Sequence, residues 1–337
     1  MISSAPIPEA ARVIKQPWWE SRVVRRFRRN TLAMLGLAFM VLFALMAAFA
    51  PLLAPPEQAC ARDLGITQSS SVYSLTNSSF WQVMFRPPEN CFVMPRISFS
   101  PIPTPPGVGG RVFGTSNGYD IKYGLVWGAR TAFFLGFTVI ISTFCIGTLI
   151  GSLAGYFGGW LDNLFMRFTN VVFAFPGLVL TIVLIAIFGQ SLNNIILSLV
   201  LVGWSTYARL LRGEILRVRH LEYVEGARAL GARDARIIFW HVLPNSLTAL
   251  TVQATLDMGS VVLSAAALSF LGLGTPLGYS DWGQLINFTR GFLQGVPGSP
   301  MAYWYVSFFP GLALILWGLS WNLLGDALRD ALDPRVR

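Results

Sequence analysis

Charge is what this chain has least of. Only 12% of its 337 residues are charged and 54% are apolar, against roughly 25% charged in ordinary soluble domains. So few charges cannot clothe a soluble core of this size, which excludes a water-soluble enzyme. Lysine is nearly missing: among 25 basic residues only Lys15 and Lys122 are lysines. Neither follows a glycine, so the chain has no G-x-x-x-x-G-K-[ST] phosphate loop and no route to ATP hydrolysis through one. The two histidines, His220 and His241, form no H-E-x-x-H pair, and the cysteines, Cys60, Cys91 and Cys145, contain no C-x-x-C. Zinc sites and thiol redox motifs are therefore unsupported, and no catalytic residue or metal site is visible. The net charge of +9 falls in connections between apolar runs, which speaks for membrane topology rather than nucleic acid.

What the chain does have is length without charge. Residues 31–54, 131–160, 168–208, 242–256, 258–280 and 291–325 contain no Asp, Glu, Lys or Arg. A helix needs about 20 apolar residues to cross a hydrocarbon layer of about 30 Å. The run 168–208 is too long for one span and breaks at Gly189-Gln190-Ser191-Leu192-Asn193-Asn194. This predicts an all-α polytopic membrane protein with six transmembrane helices, at about 31–54, 129–156, 169–188, 192–211, 243–272 and 302–325. The first run follows five arginines between Arg22 and Arg29, yet it exceeds the 7–15-residue apolar core of a secretory signal. It reads as a retained span. Counting Lys and Arg gives 18 on the side of the N-terminus and 7 on the other. The positive-inside rule then places both termini in the cytoplasm.

The organisation expected is a basic tail (1–30), a first helix (31–54), an extracytoplasmic loop or cap (55–111), a membrane core (112–325) and a C-terminal tail (326–337). Residues 55–111 are rich in Pro, Ser and Asn, which reads as irregular structure. Cys60 and Cys91 both lie in it, on the side where disulfides persist. A bridge is preferred there over two unpaired thiols, with Phe80 and Trp81 as a small apolar cluster. Gly147, Gly151 and Gly155 recur every fourth residue, a spacing that lets helices approach closely in lipid; packing within one subunit is favoured over a homodimer seam. Asp257, with Gln253 one turn before it, is the acidic residue well inside a span, and such a carboxylate is a candidate pathway residue. Its isolation argues against a proton relay.

The connection between the fourth and fifth spans, within 213–244, carries the most specific signal. Leu221, Val224, Ala227 and Leu230 lie at helical spacing, so a short amphipathic helix is expected over 221–230. Glu225 and Arg228 can pair at i, i+3, Gly231 suits the left-handed position after the helix, and Pro244 suits the opening turn of the next. Glu225-Gly226-Ala227, Gly231 and Leu243-Pro244 resemble the "EAA" loop of permease subunits of ATP-binding-cassette importers. Glycine stands here for the motif's middle alanine and His241 for its usual isoleucine. Arg29-Asn30, Ala154 to Gly159, Leu268 to Gly274, Trp282-Gly283 and Asn322 to Arg335 extend the likeness. The chain resembles the C-type subunit of the dipeptide, oligopeptide and nickel branch of binding-protein-dependent inner-membrane permeases, over roughly 21–54 and 112–337. It departs at Gly114 to Asp120, where Ser116 and Tyr119 replace an aspartate and an arginine, and in the inserted loop 55–111.

The resemblance implies a multi-pass protein of the bacterial or archaeal cytoplasmic membrane that carries no cofactor of its own. It implies a second homologous permease, two ATPase subunits that bind ATP and Mg, an extracytoplasmic substrate-binding protein, and a di- or oligopeptide cargo crossing among membrane lipid. Tyr223, Glu225, Gly226, Ala227, Arg228, Gly231, Leu243 and Pro244 would form the ATPase-coupling loop. Rival readings are the same importer carrying a nickel chelate or oligosaccharide, an ion-coupled secondary transporter, and a membrane anchor for the extracytoplasmic loop.

Overall fold

The computed structural model describes residues 27–55, 60, 83–85, 87–295, 297 and 299–332. Five helices in it are long and apolar enough to cross a membrane: Thr31–Ala48, Ile121–Phe157, Leu192–Val218, Asp234–Phe270 and Trp304–Leu332. A sixth candidate is a helix pair bent by 86°. We number the helices α1 (Thr31–Ala48), α2 (Ala50–Leu53), α3 (Ile121–Phe157), α4 (Gly159–Phe173), α5 (Gly177–Phe188), α6 (Leu192–Val218), α7 (Glu222–Ala229), α8 (Asp234–Ile237), α9 (Leu243–Phe270), α10 (Trp282–Asn287) and α11 (Trp304–Leu332).

Local chemistry sets most of the boundaries. The Asn30 side chain accepts hydrogen bonds from the Leu32 and Ala33 N–H groups and caps α1. Asp120 caps α3 by accepting from the Tyr123 N–H at 3.2 Å, so this helix starts at Ile121 rather than near residue 129. The expected break between the third and fourth spans appears as Gly189 at φ +88°, followed by Ser191, whose hydroxyl accepts from the Asn194 N–H and opens α6. α6 runs on to Val218 and α11 to Leu332, each past the expected end.

Two expected elements differ in kind. The span expected at 169–188 is instead α4 and α5, bent at Ala174-Phe175-Pro176. Proline disfavours helical backbone at the residue before it, so Phe175 cannot carry α4 through. Arg212 donates to both Asp162 carboxylate oxygens from Nε and Nη2, at 2.5 and 2.7 Å, and the Arg209 guanidinium lies 3.8 Å over the Phe173 ring. Both contacts hold α4 against α6. The second difference lies just before Pro244, which sits in the first turn of α9 as expected but follows a helical run rather than a free end. The helix begins at Asp234 and passes through a π-turn, Ile238–Val242, directly before the proline. Pro244 has no N–H to offer the carbonyl four residues back, and a π-turn is a common way for a helix to absorb such a defect. The Asn245 amide donates to the His241 carbonyl at 2.7 Å beside it.

The described part of 55–111 packs on the α3 N-terminal end of the bundle. Cys60 and Cys91 are bridged, with Cα atoms 4.5 Å apart, and both are buried. Phe80 and Trp81 lie outside the described residues. The Tyr123 hydroxyl donates to the Cys91 carbonyl at 2.6 Å, and the Trp127 indole donates to the Ala54 carbonyl at 2.9 Å. The segment also pairs with 278–280: Met94 N–H donates to Gly278 O, and Ser280 N–H to Phe92 O. Thr115–Ser116 and Tyr119–Asp120 form a two-stranded hairpin, turned by Asn117 and Gly118, both at positive φ. Asn-Gly is the commonest chemistry for such a turn.

Tryptophan fills the centre of the bundle. Trp282, on α10, and Trp317, on α11, meet edge to face at 5.7 Å and both touch Phe43 of α1. α10 is buried, and Asp281 caps it by accepting from the Gly283 N–H at 3.1 Å. Burial raises the Asp281 carboxyl above the usual carboxylate range, opposed by the hydrogen bond from the Gly283 N–H. Gln284 in turn donates to the Pro276 carbonyl and accepts from the Gly278 N–H, which holds the turn before α10.

Candidate functional site

The expected coupling-loop residues gather at the opposite end of α3 from the disulfide. α7 is seated by one fully buried side chain, Val224, in a cluster with Ile215 and Val218 of α6, Ile237 of α8, and Val242. Its other positions face outward: Leu221, Tyr223, Glu225, Gly226, Arg228 and Leu230 are exposed. The C-terminus closes as a Schellman turn, with Ala232 N–H donating to Ala227 O, Gly231 N–H to Arg228 O, and Gly231 at φ +81°. Among the described residues no ion pair joins Glu225 and Arg228. Arg228 instead interacts with the Tyr156 hydroxyl, which donates to Asp234 at 2.6 Å. Arg219 donates to the Gly155 and Tyr156 carbonyls at 3.0 and 3.3 Å. These contacts tie the end of α3 to both flanks of α7. Leu243 and Pro244 lie beyond the π-turn, one turn past Trp240.

Glycines explain how α3 and α6 approach so closely. A Cβ at Gly151 would stand 2.6 Å from the Ala208 carbonyl oxygen, and one at Gly155 would stand 3.0 Å from Ile215 Cβ. Gly147 is likewise pressed on the Cβ of Tyr207. The stripe packs within this chain. Gly226 is the opposite case, because a Cβ there meets none of the described residues within 4 Å.

The candidate pathway residues meet at a cavity of about 250 Å³ between α3, α5, α6 and α9, which Asp257, Tyr207, Thr143, Thr181 and Ser260 help to line. Gln253 donates to Asp257 Oδ1 at 2.9 Å. Sequence reading found Asp257 and Gln253 but missed Tyr207 and the threonines. Single hydroxyls on separate helices leave no linear spacing by which to find them.

Residues 147–337 match the model of the binding-protein-dependent transport system inner membrane component. The chain belongs to that family. Residues 17–74 also match the N-terminal transmembrane domain of oligopeptide transport permease C. This permease is 36% identical to the dipeptide transport system permease protein DppC of Alkalihalophilus pseudofirmus, over 99% of this chain and 95% of the relative. It is 34% identical to the glutathione transport system permease protein GsiD of Escherichia coli O6:K15:H31, over 96% of this chain and 92% of the relative. A solved chain from the MetNI methionine ABC transporter, inward facing, shares the fold with a TM-score of 0.50 at 21% identity, over 63% of this chain and 97% of that one. The permease is thus a multi-pass inner-membrane transport subunit and not an enzyme.

Proposed function

We propose that the chain is one of two permease subunits of an ATP-driven importer of di- or oligopeptides. Both termini and α7 face the cytoplasm, and the disulfide-stapled cap faces outward towards a substrate-binding protein. The family membership and the names of the dipeptide and glutathione relatives support the peptide cargo. The observation that carries the coupling role is α7 itself. It is held by the buried Val224 while Leu221, Tyr223, Glu225 and Leu230 stay exposed. Gly226 has open space where a Cβ would stand, so a close approach there serves something outside this chain.

In this reading α7 sits in a groove on an ATPase subunit, with Tyr223, Glu225, Gly226, Ala227 and Arg228 as the contact. ATP and Mg are bound by the two ATPase subunits, whose closure moves α7 as a rigid body. Gly231, Leu243 and Pro244 pass the motion to α9, and the π-turn joins the moving helix to the span. The test is reconstitution: this chain, its co-purifying permease and its ATPases in vesicles, given loaded binding protein and ATP. ATP-dependent uptake of alanyl-alanine is expected. Uptake driven by a proton or sodium gradient without the ATPases would replace this reading by a secondary transporter.

A further inference from the structure

α9 carries a polar stripe through the membrane: Gln253, Asp257, Ser260 and Ser264, at i, i+4, i+7 and i+11 on one helical face. The last three line the cavity already described, facing Thr143 of α3, Thr181 of α5 and Tyr207 of α6. Its hydroxyls have mostly spent their protons. Thr143 donates to Val139 O at 2.9 Å, Thr181 to Gly177 O at 2.8 Å, Ser260 to Asp257 O at 3.1 Å and Ser264 to Ser260 O at 2.8 Å. What they present to the cavity is therefore lone pairs. Asp257 adds a carboxylate, of which Gln253 engages Oδ1. Among the described residues no Lys, Arg or His lines the cavity, so its described wall holds no cation to pair with that carboxyl group. The Tyr207 hydroxyl, on a residue only 2% exposed, lies against Asp257 and Thr143.

An acceptor-rich, anionic pocket in a membrane fits a group that has several donors, no acceptor and a positive charge. A primary ammonium is that group. We propose that this cavity receives the protonated amino terminus of the peptide in transit, with Asp257 pairing with the ammonium and Thr143, Thr181, Ser260 and Ser264 accepting its N–H bonds. The volume, about 250 Å³, is below that of pockets enclosing a whole small molecule, roughly 300–1,000 Å³. It suits one end of a peptide. Leu178 and Ser260, both exposed, form its rim, where the rest of the peptide would continue into a path shared with the second permease. The inference rests on the peptide-importer reading and adds the group recognised and the residues that recognise it.

The test compares alanyl-alanine with N-acetyl-alanyl-alanine in vesicles holding the assembled complex, for the unaltered chain, D257N and D257E. Losing one charge-assisted hydrogen bond lowers D257N uptake of alanyl-alanine about tenfold or more, while D257E stays within about threefold and the acetylated peptide within about twofold. A second measurement avoids the delivery step: equilibrium binding of alanyl-alanine to the assembled complex without binding protein, weakened about tenfold by D257N and spared by D257E. Equal slowing of both peptides by D257N overturns the inference, as does unchanged binding and uptake of alanyl-alanine. An unaltered complex that carries no peptide sinks the function proposed above, and this inference with it. A peptide-carrying complex indifferent to D257N sinks only the inference.

Discussion

The two ends of α3 are built on opposite terms. At its N-terminal end the chain closes on itself. A disulfide, the Tyr123 and Trp127 hydrogen bonds and the paired segments around Phe92 and Ser280 leave few groups open. At the other end α7 is held by Val224 and offers exposed residues on every other side. Two glycines mark the difference. A Cβ at Gly283 would sit 2.5 Å from Ala266 Cα and 2.8 Å from its carbonyl carbon, whereas a Cβ at Gly226 meets nothing. Glycine at the first end is required by this chain's own backbone. Gly226, at the second, is required by no described neighbour in this chain.

That contrast can be broken by substitution. The largest effect is expected from Cys91→Ser, because closing a loop with a separation of 31 removes roughly 3–4 kcal/mol of unfolded-chain entropy on the loop-closure model. Limited proteolysis of the cap should accelerate, and protection equal to the parent chain would mean that the packed contacts suffice without the bridge. Gly283→Ala follows, at about 2–3 kcal/mol of overpacking, read as a lower thermal midpoint of the purified complex. A midpoint unchanged by the added methyl would show that α10 can slide away from α9.

At the α7 end the signs change. Gly231→Val forces a β-branched residue to φ +81°, at about 1–2 kcal/mol of local strain. The chain should still reach the membrane while ATP-driven uptake falls, and full uptake would remove the turn from the coupling path. Gly226→Ala is the smallest and sharpest case. Within this chain it should be neutral or stabilise α7 by about 0.5–1 kcal/mol, so any drop in ATPase association, measured by co-purification, reports a partner's surface. Glu225→Lys should reduce the same association without altering the thermal midpoint of the isolated chain.

Much of this architecture was legible in linear order. Apolar runs longer than a bilayer needs can hardly be anything else, the Gly189 to Asn194 break has its own turn chemistry, and Gly231 sits one helix length after Leu221. The bend at Ala174-Phe175-Pro176 had a signal in Pro176, since proline can kink a membrane helix, but its 86° was hidden because the apolar run continues through it and hydropathy does not register direction. The start of α9 at Leu243 was legible, but the helical run into it from Asp234 was hidden for a related reason. Pro244 looks like a helix opening, and a π-turn that lets a helix run past a proline has no composition of its own. The Asn117-Gly118 hairpin did carry a signal, but a two-residue turn is easily lost beside spans of this length.

The sequence by itself determined that the chain lives in a membrane and which loop resembles a coupling element, because a bilayer acts on every residue through one property, the cost of burying charge. Only the tertiary structure decided that the α3 glycines face α6 of the same chain and that Gly226 faces nothing. It also decided that Asp257 shares a cavity with hydroxyls from three other helices. Those facts depend on which helix faces meet, and helix rotation is set by packing between segments distant in the chain.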